Sequence, residues 1–589
     1  MAEDFQNLNE ILAHSVQRFA ERPLFGVRTT AGWTWTSYGE FAVLVARCRA
    51  GLTRLGVGRG DRVGIVAENC IPWAVTCYAA AGVGAALVPM YAAQTVAEWE
   101  YIVRDSGARC VLAGTESIRA ALAQRSSQLP ALEHVVALGD SPDAGLSWAD
   151  LVSETQGQRQ ADAVRPNDVA AIIYTSGTMG TPKGVLLSQR NLASNASAAR
   201  SIFPISERDR SLSFLPWAHA YGQTSELHTL LSRGCSIALN DELPYLVRNL
   251  PEVEPTILVA VPRIFNRIYE GVQKQIRAKP APVRLLFEAG VRAHAQREAG
   301  ERLSVGQRVS LRLADRLIFS AVRQKFGGRL RFAVSGSAAL NPAVAQFMGA
   351  LGIGVHEGYG LTEASPTVAA NTPAVHRAGT VGRALPGVTV SVDTNVAGAE
   401  GGEGELIVHG PGVMLGYYGK PDETAEALRP DGGLRTGDLG HVDADGFIHV
   451  TGRIKEQYKL ENGKYVAPGP LEEQLKMVPL VSQAMLHGAN HRYNVVLLVV
   501  DPTQVREWAA ANGVVLAGSP NEVPELREYL WNHVKSIAAS FRSYERPQGV
   551  LIVDDDVTVE SGLLTPTLKL KRHRMLAKYG DQLQALYGT

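Results

Sequence analysis

Cysteine and net charge are both scarce in this 589-residue chain. Its cysteines lack the paired spacing of metal sites and stand at Cys48, Cys70, Cys77, Cys110 and Cys235. A set so sparse and odd in number indicates reduced thiols in a cytosol-like compartment. Lys plus Arg and Asp plus Glu number 58 each, so no global field attracts nucleic acid or an anionic membrane. Any anionic ligand must therefore be bound by local groups.

Long uninterrupted apolar runs are also lacking. Residues 71–90 carry no charge, but Pro72, Gly82, Gly84 and Pro89 interrupt them. This pattern predicts a buried helix followed by a buried strand rather than a membrane span. The N-terminus has neither the basic nor the apolar region of a secretory signal, and the chain shows no internal repeats. These absences predict a cytoplasmic protein.

What is present is a globular composition, with 46% hydrophobic and 20% charged residues in a chain long enough for two or more cores. From residue 62 to 138, strand and helix patterns alternate, which predicts an α/β fold with a parallel sheet between helices. In residues 381–449 apolar and polar residues alternate with a period of two, and this pattern predicts a small antiparallel β-sheet unit. Residues 453–589 form a separate predicted α+β domain. Residues 282–326 are an apparent helical insertion rich in Arg and Ala.

One loop concentrates hydrogen-bond donors between two predicted apolar strands, 168–173 and 185–188. It combines hydroxyl side chains, glycines and one lysine, namely Thr175, Ser176, Gly177, Thr178, Gly180, Thr181, Lys183 and Gly184. Glycines let backbone N–H groups approach an anion, and hydroxyls with an ammonium complete a phosphate cradle. It is not a Walker A loop, because Pro182 precedes the lysine and Gly184 follows it. The alternative is a solvent-exposed turn, since the same residue types are common in turns.

Three further motifs follow in order along the chain. They are Gly-Tyr-Gly-Leu-Thr-Glu at 358–363, Arg-Thr-Gly-Asp at 435–438 and Gly-Arg-Ile-Lys at 452–455. Together with the loop they resemble the AMP-forming adenylating superfamily of acyl-CoA synthetases, luciferases and peptide-synthetase adenylation domains. The resemblance covers nearly the whole chain. It implies a large domain, 1–452, of parallel αβα sheets plus a small β-barrel-like subdomain, followed by a small mobile α+β domain, 453–589.

The implied reaction joins a carboxylic acid to the α-phosphate of ATP, releases pyrophosphate and then transfers the acyl group from AMP to coenzyme A. Such chemistry needs charge neutralisation and alignment more than covalent help. By resemblance, Glu363 and Thr178 ligate Mg²⁺, a hard ion that prefers oxygen. Thr362 and the loop groups, Thr175 to Thr178 with Lys183, would contact the phosphates. The implied cofactors and substrates are therefore ATP, Mg²⁺ and coenzyme A.

The same resemblance assigns the nucleoside contacts. Tyr359, next to Gly360, has a flat face suited to stacking on adenine, and the opposite adenine wall is assigned to Gly336, Ser337 and Ala338. Asp438 can accept from both ribose hydroxyls, and Arg453 matches the second ribose contact. Taken alone, Asp438 could equally be a turn aspartate beside a glycine. Taken alone, Tyr359 could equally be a packed core aromatic.

A basic cluster near the C-terminus, 564–572, would by itself indicate a solvated face or a nucleic-acid patch. The family has its adenylation lysine here, and the register matches Lys569, with Lys571 as the runner-up. An ammonium between the substrate carboxylate and the α-phosphate would offset their repulsion.

For the second half-reaction, Lys455 matches the hinge about which the small domain swings, unless it is simply an exposed linker charge. The segment with Lys459 and Gly463 resembles the part that then lines the thiol channel. Rotating the small domain in this way would reuse one site for both half-reactions.

His219 matches a family position beside the acyl pocket, although a lone histidine among apolar neighbours is as often structural. Segments 261–265 and 327–331, together with the insertion, resemble the long-chain branch, which makes a long-chain fatty acid–CoA ligase the expected enzyme. A long-chain substrate suggests transient membrane contact, but the sequence shows no evident amphipathic anchor. Two departures stand out. Gln189 replaces the family's usual histidine, and Ser337-Ala338-Ala339 replaces a more common Gly-Ala-Pro.

Two other functions compete with a coenzyme A ligase. A fatty acyl-AMP ligase or other adenylation enzyme would load a carrier protein, although no carrier domain follows Thr589. A non-catalytic nucleotide-binding homologue is disfavoured because Lys569, Glu363 and Asp438 are all present. Nucleic-acid binding is disfavoured by the balanced charge. The sequence leaves chain length and oligomeric state open.

Overall fold

The computed structural model describes residues 4–139, 145–154, 157–175, 181–336, 338, 340–396, 402–565 and 569–588. Up to residue 453 its strands are β1 (Pro23–Thr29), β2 (Gly32–Ser37), β3 (Arg62–Val66), β4 (Ala86–Met90), β5 (Cys110–Ala113), β6 (His134–Ala137), β7 (Leu146–Ser147), β8 (Val169–Thr175), β9 (Lys183–Ser188), β10 (Arg210–Ser213), β11 (Ser236–Leu239), β12 (Ile257–Ala260), β13 (Phe332–Ser335), β14 (Gly354–Gly360), β15 (Thr367–Ala370), β16 (Arg383–Ala384), β17 (Thr389–Asp393), β18 (Gly404–His409), β19 (Gly416–Tyr417), β20 (Leu434–Val442) and β21 (Ile448–Arg453). The helices of this part are α1 (Leu8–Phe19), α2 (Tyr38–Arg54), α3 (Ile71–Gly82), α4 (Val96–Ser106), α5 (Glu116–Ala123), α6 (Trp148–Leu151), α7 (Gln189–Ile202), α8 (Thr229–Leu231), α9 (Leu246–Val253), α10 (Pro262–Arg277), α11 (Ala281–Glu298), α12 (Val305–Ala314), α13 (Ser320–Gln324), α14 (Pro342–Ala350) and α15 (Pro421–Ala427).

The largest sheet has the strand order β19-β9-β8-β4-β3-β5-β6-β7. Strands β8, β4, β3, β5, β6 and β7 pair in parallel, whereas β9 pairs antiparallel with both β8 and β19. The predicted parallel α/β core is therefore confirmed, with an antiparallel edge added. Strand β4 is buried along its whole length, and α3 is buried from Trp73 to Gly82. Among the residues that the structure describes, no helix combines the length and apolarity that crossing a bilayer requires.

Two further sheets flank the first. One has the order β12-β13-β14-β15-β16, with parallel pairing through β14 and antiparallel pairing beyond it. The other has the order β10-β11-β1-β2 and joins the antiparallel hairpin β1–β2 to β11. The β1–β2 hairpin was not predicted from the sequence. Its residues show only partial burial after Gly26, so the period-two pattern that would identify a strand is weak.

The predicted antiparallel unit is present as the sheet β17-β18-β20-β21, in which every neighbouring pair is antiparallel. It occupies the place of the expected barrel-like subdomain. Strand β21 ends at Arg453, where the chain leaves this sheet.

The C-terminal part has its own elements, namely β22 (Tyr458–Lys459), β23 (Tyr465–Val466), α16 (Gly469–Leu475), β24 (Val481–His487), β25 (Asn494–Val500), α17 (Pro502–Asn512), α18 (Pro524–Ala538), β26 (Pro547–Val553) and α19 (Arg572–Ala585). Its sheet has the order β24-β25-β26. Two apolar clusters on the two faces of this sheet draw only on residues 458–587. The part thus buries apolar surface of its own, as a separate α+β domain requires.

The Arg- and Ala-rich segment is helical, as predicted. It consists of α11, α12 and α13, and a π-helical turn at Asp315–Phe319 joins the last two into one continuous helix over 305–324. The insertion lies in the crossover from β12 to β13, after α10. Both of these strands contribute to the cavity described next.

Candidate active site

One cavity lies along the parallel strands β12, β13 and β14 and reaches the C-terminal ends of β13 and β14. Its walls come from segments far apart in the sequence, namely Ala199, Phe203, Ile205, His219, Tyr221, Ser225, Thr229, Leu230, Ile257, Leu258, Val259, Phe332, Val334, Gly336, Gly358, Tyr359, Gly360, Leu361, Pro366, Thr367, Ala370 and Leu385. The glycine-rich motif at 358–360 forms one end. Aliphatic and phenyl side chains form the other. A cavity at the C-terminal ends of parallel strands is a common position for a ligand site.

The end of the cavity at Tyr359 is organised by a buried carboxylate. The Tyr359 hydroxyl donates to Asp438 Oδ2 at 2.6 Å, and Arg453 Nε forms an ion pair with Asp438 Oδ1 at 2.8 Å. The side chain of Asp438 is almost fully buried, and burial raises its pKa while Arg453 opposes that rise. Strand pairing sets this geometry, because Asp438 on β20 lies directly opposite Arg453 on β21. Three residues assigned from separate motifs are therefore in contact.

The second wall beside Tyr359 depends on a close approach to Gly336. A Cβ atom at Gly336 would lie 2.8 Å from Cζ of Tyr221, so a larger residue would displace that ring. The Tyr221 hydroxyl donates to the carbonyls of Ala260 at 3.3 Å and Val334 at 3.1 Å. It thereby ties together the ends of β12 and β13. Ala338 is half-buried, and Ser337 lies outside the described residues.

The strands β8 and β9 form the base of the predicted phosphate cradle. They pair antiparallel up to Thr175 opposite Lys183, as expected for a loop held between two apolar strands. Lys183 Nζ lies 5.1 Å from the centroid of the Tyr417 ring, and the Tyr417 hydroxyl donates to Glu363 Oε1 at 2.9 Å. Tyr417 thus links the loop lysine to the acidic residue of the second motif. The loop residues Ser176, Gly177 and Thr178 lie outside the described part of the chain.

The motif at 360–363 is held in a compact turn after β14. A Cβ atom at Gly360 would lie 2.0 Å from the carbonyl oxygen of Pro366, so only glycine fits here. The turn buries Thr362 and leaves Glu363 half-buried at its start. A half-buried carboxylate beside a lysine and a tyrosine hydroxyl is a suitable oxygen ligand for a hard cation.

His219 lines the cavity. Its Nδ1 accepts the backbone N–H of Tyr221 at 3.1 Å, so a neutral ring carries its proton on Nε2. Burial and the positive charge of Lys569 lower the pKa of His219 to about 4, which favours the neutral ring near pH 7. The structure therefore places His219 at the cavity wall.

Lys569 belongs to the C-terminal part of the chain. Its positive charge lowers the pKa of His219 and opposes the rise in the pKa of Asp438. Its backbone closes a tight loop, in which the N–H of Thr565 donates to the Lys569 carbonyl at 2.8 Å. Partial desolvation and the nearby Arg453 lower the pKa of Lys569, although the side chain keeps contact with solvent. Lys571 instead lies 3.8 Å from Glu98 on α4. The two candidate lysines therefore have different neighbours, since Lys569 acts electrostatically on His219 and Asp438 whereas Lys571 pairs with Glu98.

The three residues assigned to the second half-reaction lie away from the described cavity wall. Lys455 is exposed in a short 3-10 turn that follows β21. Lys459 is exposed on β22, and Gly463, with a φ of +86°, closes the β22–β23 hairpin. In this arrangement Lys569 acts electrostatically on Asp438, whereas Lys455, Lys459 and Gly463 do not line the cavity.

Two residues near the cavity were missed from the sequence. Tyr417 links the loop to Glu363, and Glu226 lies fully buried behind the cavity wall. Glu226 accepts hydrogen bonds from Ser211 at 2.9 Å, from Ser213, and from the Trp217 indole at 3.3 Å. Burial raises the pKa of Glu226 to about 7. The sequence contains a signal for Glu226, because it is the only Asp, Glu, Lys or Arg from residue 211 to 232 and so stands alone in an otherwise uncharged segment.

The departure at residue 189 has a structural role. Gln189 is fully buried at the start of α7, and its Oε1 accepts the backbone N–H of Leu8 at 3.2 Å. It therefore connects α1 to the start of α7.

Trp217 is a packing residue, buried against Trp73 and Phe25 with ring centroids 5.6 and 5.7 Å away.

Comparison with known protein families identifies the chain. A family model described as AMP-binding enzyme matches residues 12–418, and one described as AMP-binding enzyme C-terminal domain matches residues 455–589. This chain belongs to the AMP-binding enzyme family. The resemblance inferred from the four motifs is thus confirmed, and the protein is an adenylating enzyme. This AMP-binding enzyme has both of the family's domains.

Relatives of this AMP-binding enzyme include ligases of long-chain fatty acids. The chain is 33% identical to long-chain-fatty-acid–CoA ligase FadD15 of Mycobacterium bovis, over 94% of this chain and 92% of the relative. It is 29% identical to the peroxisomal long chain acyl-CoA synthetase 7 of Arabidopsis thaliana, over 98% of this chain and 86% of that one.

Solved structures share the fold of this AMP-binding enzyme at lower identity. The adenylation domain of a carboxylate reductase from Mycobacterium chelonae superposes with a TM-score of 0.80 at 23% identity, covering 99% of this chain and 91% of that one. An anthranilate CoA ligase in complex with anthranoyl-AMP gives a TM-score of 0.74 at 20% identity, covering 98% of each chain. These matches confirm the predicted fold class.

Proposed function

We propose that the protein is a long-chain fatty acid–CoA ligase that forms acyl-AMP and then acyl-CoA, with release of pyrophosphate and AMP. The observation that carries the proposal is the two-ended cavity. Tyr359, which is bonded to Asp438 and through it to Arg453, lines one part of the cavity, and apolar groups such as Phe203 and Leu230 line another. A nucleotide and an alkyl chain would thus meet within one enclosure. The curated relatives named as long-chain ligases support the same substrate class.

The nucleoside would bind at the polar end. Asp438 would accept hydrogen bonds from the ribose hydroxyls, with Arg453 as the second ribose contact. The adenine would lie between the Tyr359 ring, next to Gly360, and the wall at 336–338. The Tyr359 hydroxyl is already paired with Asp438, which fixes the orientation of its ring at the cavity wall. The base site is therefore preorganised before the nucleotide binds.

The phosphates would lie between the loop and the second motif. Thr175 and Lys183 at the base of the loop, its tip residues 176–178, and Thr362 would contact phosphate oxygens. Glu363 fits Mg²⁺ as a half-buried carboxylate, and Thr178 would supply a hydroxyl ligand. A single carboxylate plus a hydroxyl suits Mg²⁺, which binds proteins through one or two carboxylates and the substrate's own phosphates. Bound there, the ion would neutralise charge on the departing pyrophosphate.

Lys569 would be the adenylation lysine. Its charge already acts on His219 at the cavity wall and on Asp438 at the ribose end, and the acid's carboxylate would meet the α-phosphate between these two residues. An ammonium in that position would offset the repulsion between the two anions. Neutral His219, with its proton on Nε2, would offer a hydrogen bond without adding a second positive charge. Lys571 would instead stabilise the contact with α4 through Glu98.

Thioester formation would need the C-terminal part to move. We assign the large domain to 1–452 and the mobile domain to 453–589, with the hinge at Lys455, which lies in a short exposed turn. Rotation there would withdraw Lys569 and bring the hairpin with Lys459 and Gly463 towards the large domain. Pyrophosphate would leave before the coenzyme A thiol entered.

The working environment would be a reducing one such as the cytoplasm, with transient contact at a membrane surface. All five cysteines are free thiols, and burial raises the pKa of Cys70 to about 11, which keeps that thiol protonated. Small-molecule substrates would be the partners, and nucleic acid would not.

The deciding experiment is ATP–pyrophosphate exchange measured with acids from short to very long chain, followed by acyl transfer to coenzyme A or to a phosphopantetheinylated carrier protein. We expect exchange to rise with chain length and transfer to favour coenzyme A. Exchange with transfer only to the carrier would assign a fatty acyl-AMP ligase. ATP binding without exchange for any acid would leave a non-catalytic homologue.

A further inference from the structure

The helical insertion carries an apolar stripe that faces solvent. Four aliphatic side chains on α12 and the turn after it are exposed by 69%, 47%, 46% and 63%, in the order Val305, Val309, Leu313 and Leu317. They follow one another at intervals of four residues. Each such step turns a helix by roughly 40° beyond a full circle, so the four side chains form one continuous stripe. The opposite face of the same helix is buried through Ala314, Ile318, Phe319 and Val322.

A basic stripe runs directly beside the apolar one. Arg308, Arg312 and Arg316 precede the last three aliphatic residues by one position and are all exposed. The only acid within residues 305–324, Asp315, pairs with Arg323 at 2.6 Å instead. Over 281–325 the chain has nine Lys or Arg against four Asp or Glu, whereas the whole chain is balanced. The positive charge is therefore concentrated in this insertion.

The helix that presents both stripes is firmly held. Its first turn has a capping box, in which the side chain of Ser304 accepts the N–H of Gln307 and Gln307 bonds back to Ser304. Its buried face joins the apolar cluster formed with Phe287 on α11 and Phe347 on α14. The exposed side chains thus stand on a fixed element, and their exposure is not a consequence of a loose segment.

The insertion is connected in the chain to strands that line the cavity. It is the crossover between β12 and β13, and residues of both strands, Ile257 and Phe332 among them, line the cavity. A membrane bound at this insertion would therefore hold the phase in which long acyl chains dissolve at the same domain that contains the cavity.

The geometry points to a membrane-docking surface, which we call the basic–apolar ridge and which consists of Val305, Arg308, Val309, Arg312, Leu313, Arg316 and Leu317. Its partner is an anionic lipid bilayer. The aliphatic stripe enters the boundary between headgroups and acyl chains, and the guanidinium groups donate to lipid phosphates. A second copy of the chain fits less well, because pairing two ridges would bring two arginine stripes together. The inference is independent of the catalytic assignment.

The test is vesicle flotation of the full-length protein without substrates. Vesicles of phosphatidylcholine alone are compared with vesicles of phosphatidylcholine mixed with phosphatidylglycerol. We expect the native protein to bind the anionic vesicles at least about tenfold more tightly, and to release them as salt is raised. Replacing the three arginines (Arg308→Gln, Arg312→Gln, Arg316→Gln) is expected to remove that preference.

A second variant removes the aliphatic stripe through Val305→Gln, Val309→Gln, Leu313→Gln and Leu317→Gln, and is expected to lose binding to both kinds of vesicle by at least about tenfold. The matched control, Val515→Gln with Leu516→Gln, changes exposed aliphatic residues on the C-terminal part and is expected to bind as the native protein does. Thermal unfolding and ATP–pyrophosphate exchange with a short, water-soluble acid are expected to stay native-like in all three variants.

Three results would overturn the inference. The first is native-like vesicle binding by both ridge variants, and the second is no binding of the native protein to anionic vesicles. The third is self-association of the native protein that the aliphatic variant abolishes, because the ridge would then be an interface between copies. Loss of exchange activity together with intact vesicle binding would count against the proposed reaction. It would not affect the inference that the basic–apolar ridge binds membranes.

Discussion

The two ends of the cavity are built in opposite ways. At the polar end, Tyr359 lines the cavity and donates a hydrogen bond of 2.6 Å to Asp438, which forms an ion pair of 2.8 Å with Arg453. Each residue type there is needed for its charge or its hydroxyl group. These groups also come from short motifs with fixed spacing. Directional bonds tolerate few substitutes, so this end leaves a recognisable pattern in the sequence.

At the apolar end, the wall residues share only size and burial. Ala199, Leu230, Ile257 and Phe332 come from different elements and form no motif. Many combinations of aliphatic and aromatic side chains of similar total volume would serve equally well. The difference between the ends shows why the type of reaction can be predicted from sequence before the length of the acyl chain can.

The largest expected effect tests the polar end. Lys569→Ala is expected to lower acyl-adenylate formation about a thousandfold, because no other cation would offset the repulsion between the two reacting anions. Thioester formation from supplied acyl adenylate should be spared. ATP–pyrophosphate exchange and acyl transfer measure the two steps. Lys571→Ala is the matched control, since that lysine contacts Glu98. Equal loss in both half-reactions would refute the role of Lys569.

The next test separates the two half-reactions. Lys455→Pro is expected to slow thioester formation about tenfold to a hundredfold more than adenylation, because proline restricts the backbone at the hinge. Lys455→Ala, which removes the charge but keeps backbone freedom, should behave like the native enzyme. The measurement is the ratio of the two rates in single turnovers. An unchanged ratio in the proline variant would argue against a hinge at this residue.

Removing the negative charge at the proposed ribose site, while keeping the side-chain shape, should affect the nucleotide only. Asp438→Asn is expected to raise the KM for ATP about tenfold to a hundredfold, since hydrogen bonds to charged groups contribute about 1.5–3 kcal/mol each. The preference among acids should not change. Asp445→Asn, on the exposed turn after the same strand, serves as the control. A shift in acid preference would show that the two ends are coupled.

A second kind of change reduces the space at the apolar end of the cavity and leaves the proposed ribose site as it is. Ala199→Leu adds three carbon atoms at the cavity wall and is expected to lower kcat/KM for long-chain acids about tenfold, with the KM for ATP unchanged. Assays with a short acid provide the internal control, because a short chain would not reach the added side chain. If short and long acids lost activity equally, residue 199 would lie outside the acyl route.

The smallest effect on turnover is expected at Glu226, behind the wall. Burial raises its pKa to about 7, so the folded protein holds this proton more tightly than the unfolded chain does. Its stabilising contribution is complete below the ordinary carboxyl pKa and is lost as pH rises through about 7. Glu226→Gln should therefore remove on the order of 1–3 kcal/mol of the fall in unfolding free energy between about pH 5 and pH 8.

Urea unfolding at several pH values, followed by tryptophan fluorescence, measures the pH dependence of the unfolding free energy. Fluorescence is a suitable probe because the Trp217 indole donates to Glu226. Exposed Glu242→Gln is the control and should leave the pH dependence as it is. A native-like pH dependence in the Glu226 variant would show that another group is responsible.

Much of the fold could be predicted because its signals are local. Ser188 caps α7 through the N–H of Asn191, so the start of this helix at Gln189 can be predicted from the sequence. Asn341 and Pro342 likewise mark the start of α14, since a cap residue followed by proline is typical of a helix start. Caps act within one turn, so their effect is contained in a few consecutive residues.

What the sequence by itself determined is therefore the set of local elements, the motif groups and the class of reaction. Tertiary structure alone decided which apolar residues line the cavity, that Lys569 acts electrostatically on His219 and Asp438 whereas Lys571 pairs with Glu98, and that Glu226 is buried. It also decided that the aliphatic residues of α12 face solvent. The physical reason is that burial and electrostatic environment depend on neighbours brought together from distant parts of the chain, which no local pattern specifies.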